Sequence, residues 1–417
     1  MKLTINKYYL LLITLIFLNL KFFYLVDTSN FNLFFLNYTD FVFIINVSVF
    51  LYQLIRNNFN FDRASFVFFS VIILLVIISA IRASMVYNQS FFSGIVAQRL
   101  WFSWMLIFYF IINSLNFHRM TIEGIKKTIT LLCTVYSLVC ILQYFLIDIY
   151  SFTYVVENTR YNDTRLFFNV IFLVFAIGIK VDSVFLVRKN HIINIVELLM
   201  YFFVIIFITK GRMQSLSILI AIVLCTFLRQ NISIKRKLLY SFYAMIVTVL
   251  FLQTSMGQDL LNLSIGKSVQ ADTLSIRDSA RNYYWGLYTK SWGNIFFGSG
   301  IPNANNTYAI SVLNPIWSGS IDARYYLDDV GIMAIIVRYG LLGILIWIMT
   351  MVFNLKNSFK IYYKSGEVAY LLFFFVDILG CWTLIPTMFN NSPILPMITA
   401  MSFYNFKVLS TMEVRKI

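Results

Sequence analysis

Residues 328–353 read Asp328-Asp329 and then VGIMAIIVRYGLLGILIWIMTMVF, a run whose one charged residue is Arg338. A helix needs roughly 20 mainly apolar residues to cross a bilayer, so 330–353 reads as a membrane span. The stretch before it is the opposite. Thr254 to Asp328 is polar, and no other gap between apolar runs comes near its length. It holds Arg277, Arg281, the turn Gly298-Ser299-Gly300, a cluster of Asn, and the acidic pair where the chain turns apolar again. One large polar loop with paired arginines, set in an apolar chain, points to an anionic substrate handled at a membrane surface.

The rest of the chain supports the membrane reading. Hydrophobic residues make up 60% of the 417 and charged residues only 12%, with mean hydropathy +0.78. A soluble fold could not hide that much apolar surface. Spans are expected near 8–26, 33–55, 64–81, 99–115, 128–147, 166–181, 192–209, 213–228, 238–253, 330–353, 368–387 and 393–410. The first follows Lys2 and Lys7 as a signal peptide would, with no small-residue cleavage site behind it. It reads as a retained signal-anchor. The expected fold is an all-α polytopic integral membrane protein of about twelve transmembrane helices. It forms one membrane domain, 1–417, with one large external loop, 254–328.

Charge orients this arrangement. Short cytoplasmic loops carry excess Lys and Arg. With the N-terminus inside, the inner loops hold twenty Lys and Arg, among them Arg56, Arg119, Lys126, Lys235, Lys237 and Lys360. The short outer loops hold six: Arg82, Arg99, Arg160, Arg165, Lys210 and Arg212. Both termini are therefore expected in the cytoplasm, and the long loop outside. The net charge of +15 follows from this bias and from contact with anionic membrane lipids. Scattered over many loops, it argues against nucleic acid as a partner. Cys133, Cys140, Cys225 and Cys381 fall within spans, and the external loop has no cysteine. No Cys/His metal spacing and no phosphate-binding glycine motif occurs, so neither a metal nor a nucleotide cofactor is expected.

Within the loop, Thr273–Lys290 reads as a helix. Arg277, Arg281, Tyr284 or Trp285, and Tyr288 recur at three- and four-residue spacing on one face. Two guanidiniums a turn apart are able to grip a pyrophosphate, each presenting a planar fork of donors. The same helix equally suits the lipid surface, with its arginines on headgroups or Arg281 paired to Asp278. The run Asn303-Ala304-Asn305-Asn306 reads as a loop whose amides suit sugar hydroxyls. Charges inside spans mark a site or a buried partner. Arg338 and Asp377 have matching depths, about 13 Å below the outer end at 1.5 Å per residue, which predicts an ion pair. Lys21 and Asp40 match in the same way.

These residues resemble the bacterial O-antigen polymerase and ligase family. Ile208-Thr209-Lys210-Gly211-Arg212 resembles its Thr-x-Ser-Arg feature. Ser279 to Trp285, followed by Ile295-Phe296-Phe297-Gly298-Ser299-Gly300, resembles its Arg-x-x-x-Trp and Pro-x-x-Gly-x-Gly segment. Asp328-Asp329-Val330-Gly331-Ile332, leading to Tyr339-Gly340-Leu341-Leu342-Gly343, is similar to its Asp-x-Gly and Tyr-Gly-x-x-Gly. Gly211 stands where Ser is usual and Asn294 where Pro is usual. Asn305-Asn306 stands near where the ligases carry a functional His, which favours a polymerase.

The resemblance implies a glycosyltransferase similar to the GT-C membrane type. It would join polyprenyl-pyrophosphate-linked oligosaccharide repeats into a surface polysaccharide at the outer face of the bacterial cytoplasmic membrane. Its implied partners are the lipid-linked substrate, a flippase and a chain-length regulator. Arg212, Arg277 and Arg281 are the candidates for holding pyrophosphate, and Arg338, inside its span, is a further substrate-binding candidate. Tyr284, Trp285, Asn305 and Asn306 are the candidates for contacting sugar, and Asp328 or Asp329 for a general base. The alternatives are a ligase-type transferase, a flippase or a secondary transporter.

Overall fold

A computed structural model describes the chain apart from residues 1–5, 29–30, 34–35, 148, 152, 154–156, 161–162, 167–169, 187–190, 210, 229–232, 236, 239–241, 243–248, 250–252, 254–257, 259–270, 317–323, 383, 390–392 and 415–417. The expected span 238–253, the first part of the polar segment and Lys210 lie largely or wholly outside the described residues. The side chain of Arg212 does too.

The architecture is all-α. In chain order the helices are α1 Lys7–Asn19, α2 Tyr38–Arg56, α3 Arg63–Tyr87, α4 Phe91–Ala97, α5 Arg99–Asn116, α6 Ile122–Leu146, α7 Ile171–Leu186, α8 His191–Phe203 and α9 Arg212–Leu228. A π-turn, Val204–Ile208, extends α8. After the polar segment begins come α10 Ala271–Thr289, α11 Trp292–Phe297, α12 Thr307–Leu313, α13 Ile332–Ser365, α14 Ala369–Gly380 and α15 Ile394–Val414. Two short antiparallel hairpins, Asn32–Leu33 with Leu36–Asn37 and Glu157–Arg160 with Asp163–Leu166, are the named strands among the described residues.

Helix starts follow local chemistry. Asn6, Asn37, Asp62, Ser90, Thr121 and Asn306 each accept a backbone N–H of the first turn from their side chain, as short polar residues do at an N-cap. Among the described residues, four helices are long and apolar enough to cross a membrane: α2, α3, α6 and α13. A fifth arises if α4 and α5, bent by 50° at Gln98, count as one broken span. These helices fit a membrane location. The helical reading of the apolar runs holds, while the expected start at 99 misses α4 just before it.

α5 is buried almost all round from Trp101 to Leu115, which marks it as the central helix. It packs against α2, α3 and α15, while α14 packs on α7 and α9. Polar ties cross the bundle. Asn19 and Asn46 exchange amide hydrogen bonds at 3.1 and 3.0 Å. Asp182 accepts from the N–H groups of Val368 and Ala369 and so caps α14. Asp40 pairs with Arg99 at 2.7 Å, in place of the expected Lys21.

The predicted pair of Arg338 with Asp377 does not form. Arg338 pairs with Asp328 at 2.5 Å. Asp377 accepts from the backbone N–H of Thr387 at 2.7 Å and from the Thr387 hydroxyl. Equal depth misleads here because α13 is not one straight rod. Gly340 takes φ 63°, ψ −155° in its middle, and the break re-aims the side chains before it.

Candidate functional site

The break in α13 creates the site. In a continuous helix the carbonyl of residue i accepts from the N–H of residue i+4. At the break, the carbonyls of Val337 and Arg338 accept instead from Ser299 N–H at 2.7 Å and Gly300 N–H at 3.0 Å. The turn 298–300, which sequence reads as simple chain reversal, thus replaces two helical hydrogen bonds.

The fit admits only glycine at the crossing. A Cβ on Gly340 would lie 2.6 Å from the Gly298 nitrogen, and one on Gly298 would lie 2.4 Å from the Arg338 carbonyl carbon. Both glycines also have positive φ, 63° and 71°, a region costly for other residues.

α3 clamps the turn from the other side. Arg82 donates to the Gly298 carbonyl at 2.9 Å and to Asn294 Oδ1 at 2.6 Å. Tyr87 donates to the Ser299 hydroxyl at 2.8 Å, and Ser299 donates to the Val337 carbonyl at 2.9 Å. Ile301 N–H donates to Ser79 Oγ at 3.1 Å.

Arg338 ends the first half of α13, where the carbonyl dipoles favour a cation. Its Nη2 donates to Asp328 Oδ1 at 2.5 Å, and this pair forms a wall common to two cavities. The inner cavity, about 140 Å³, is lined with Gln98, Trp101, Tyr339, Ile385 and Phe389. The middle one, about 240 Å³, adds Asn303, Ala304, Asn314 and Tyr326. A third, about 880 Å³ and open, shares Asn303 with the middle one. It is lined with Tyr87, Asn88, Gln89, Ser90, Asn305, Asn306 and Tyr308, and no charged residue lines it. The charged pair thus lines the first two cavities, and the third is lined by amides and hydroxyls. Gln89 Nε2 is buried without a hydrogen-bond partner beside the third cavity, and Gln98 Oε1 and Tyr339 Oη are likewise unpartnered beside the first.

The sequence-predicted residues divide. Asp328 and Arg338 come together at the centre, and Asn305 and Asn306 line the outer cavity. Asn306 is also committed structurally: it caps α12 through Ala309 N–H and donates to the Tyr87 carbonyl at 3.0 Å. Asp329 is exposed and lines none of the three cavities. On α10, Arg281 donates to Asp278 at 2.7 Å and to the Trp382 carbonyl at 3.3 Å, with its guanidinium over the Trp382 ring. Arg277 is half-buried on the same helix, and neither arginine lines a cavity described here. Tyr284 is fully buried and donates to the Leu313 carbonyl at 2.5 Å. Burial pushes its phenol well above the usual range, so it is a neutral structural donor. Trp285 is exposed on the helix and lies against Tyr288.

Sequence reasoning missed Gln89, Gln98, Trp101, Tyr339 and Phe389 as lining residues, and Arg82 as the clamp. Tyr339 sits in the quoted Tyr-Gly motif, which is the one sequence signal among them. A comparison with family models, curated proteins and solved structures finds no match to this chain.

Proposed function

We propose that this chain is a membrane glycosyltransferase. It joins polyprenyl-pyrophosphate-linked oligosaccharide repeats at the outer face of a bacterial cytoplasmic membrane. The observation that supports this reading is a guanidinium and a carboxylate on the wall shared by two small cavities, with a wide uncharged cavity of amides and hydroxyls adjoining them. Such a wall suits a pyrophosphate, and the wide cavity beside it suits a sugar chain.

In this reading Arg338 stabilises the charge that develops on the leaving pyrophosphate, the task for which fixed donors in a partly dry site are suited. A hydroxyl of the second repeat attacks the anomeric carbon, and the bond from that carbon to the pyrophosphate oxygen breaks. The hydroxyl proton passes to Asp328 as general base. No nucleotide enters, because the pyrophosphate is itself the leaving group. The frame of this reading is twelve spans with both termini in the cytoplasm, a GT-C-like arrangement, and a flippase and a chain-length regulator as partners.

The test is cellular. Cells lacking the chain should accumulate single lipid-linked repeats and lose long polymer, and a plasmid copy should restore it. A Cys at Ser311, an exposed position in α12, should react with a membrane-impermeant thiol reagent in intact cells or spheroplasts. Unchanged polymer in the deleted strain would overturn the reading, and labelling only after lysis would overturn the orientation.

A further inference from the structure

Asp328 and Arg338 hold each other, yet the two residues are built differently. The Arg338 side chain is 21% exposed and that of Asp328 is 66% exposed. The arginine's backbone is fixed by the turn at 298–300, which bonds to the carbonyls of Val337 and Arg338 itself. Asp328 lies on a short 3-10 turn whose flanking Leu327 and Val330 are buried. Its own side chain is mostly exposed, and Arg338 is its ion-pair partner among the described residues.

The bond between them uses one nitrogen of the guanidinium and one oxygen of the carboxylate. Among the described residues, Asp328 is the only acidic partner of Arg338, and Asp328 is the only acid lining either cavity beside it. The remaining donors of the guanidinium fork are left for another oxyanion.

We infer that Asp328 is a built-in stand-in for the substrate's anion on Arg338, and that donor binding is the event that releases it. This rests on the proposed function. A pyrophosphate diester brings more charge and more oxygens to the fork than one carboxylate does. It therefore displaces Asp328, which swings towards the wide outer cavity where the acceptor hydroxyl arrives. The base is thus withheld until a donor is bound. The released carboxylate then takes the proton of the acceptor hydroxyl, the new bond to the anomeric carbon forms, and the bond to pyrophosphate breaks with its electron pair leaving on the phosphate oxygen. Ordered binding, donor before acceptor, follows.

The test uses the full chain in lipid nanodiscs, with geranyl pyrophosphate and inorganic pyrophosphate as probes, read by calorimetry. Asp328→Asn removes the internal competitor. It should bind geranyl pyrophosphate about two- to fivefold tighter, the size of one partly exposed ion pair, while chain elongation is lost. Arg338→Gln should lose binding, and Asp328→Ala serves as a second variant if the Asn form misfolds. In the wild-type protein, geranyl pyrophosphate should raise carbodiimide modification of Asp328 relative to Asp329, read by peptide mass spectrometry. Equal or weaker binding by the Asp328 variants, or unchanged or reduced modification of Asp328, would overturn the inference. Arg338-dependent binding to the wild type would then leave the proposed function standing. No binding of either probe by the wild type would overturn both.

Discussion

α10 and the broken start of α13 pack against each other, and each presents an arginine near the outer polar segment. On α10, Arg281 lies across the Trp382 ring and pairs with Asp278, whose side chain is 66% exposed. The helix buries Ala280 and Tyr284 against Leu327, Val330, Ala334 and Val337, so its anchoring is apolar, and its arginines are half-buried beside it. Arg338 on α13 is about as exposed as Arg281, 21% against 25%, but it is held differently. A backbone break, filled by a turn from the polar segment, carries Arg338 inward to a cavity wall. Arg281 commits its donors to Asp278 and the Trp382 carbonyl and lines none of the three cavities. Arg338, with its backbone fixed at a cavity wall, presents donors where the charge of an arriving anion would lie.

The sharpest way to break this comparison is to neutralise each arginine in turn. Arg338→Gln should reduce chain elongation by about 100-fold or more, the effect of removing one preorganised donor to a developing charge. Arg281→Gln should reduce it by less than about tenfold, since Arg281 lines none of the three cavities and its pairing with Asp278 and Trp382 is worth about 1 kcal/mol. The check is the polymer ladder on a gel at matched protein level. Equal losses would erase the distinction.

The two helices also differ in how they use glycine. Gly340→Ala puts a Cβ against backbone at the crossing and forces a side chain into a positive-φ conformation. It should cost about 1–3 kcal/mol and lower the thermal midpoint of the purified protein. Gly286, inside α10, has open space where its Cβ would be. Gly286→Ala should instead stabilise by about 0.5–1 kcal/mol, because glycine loses more backbone freedom than alanine on entering a helix. Opposite signs on the same melting curve would sharpen the contrast, and a loss at both positions would blunt it.

Much of the helical framework was legible in the apolar runs, because burial in lipid demands long apolar stretches and satisfied backbone groups. The span after the acidic pair could be read this way, and the helix over 273–290 from side chains recurring at three- and four-residue spacing. The partner of Arg338 could not. Depth matching assumes straight helices, and the break at Gly340 depends on the remote turn at 298–300 filling it. Asn306 reads as a loop amide, yet it caps α12, a helix of seven residues too short to show periodicity. Trp101 and Phe389 look like ordinary core residues in sequence, and only the bend at Gln98 and the packing of α13 turn them towards a cavity. The family-like motifs mark where the backbone departs from helix. They do not tell which arginine ends up beside the cavity.

The central claim is that this one chain joins lipid-linked repeats without help from a nucleotide. The most direct measurement is reconstitution: purified full-length protein in liposomes, given polyprenyl-pyrophosphate-linked repeats extracted from cells that lack it, with products resolved by chain length. The account predicts ladders of two or more repeats from the wild-type protein, with polyprenyl pyrophosphate released and none formed by Arg338→Gln. Single repeats left intact by well-folded wild-type protein would contradict it.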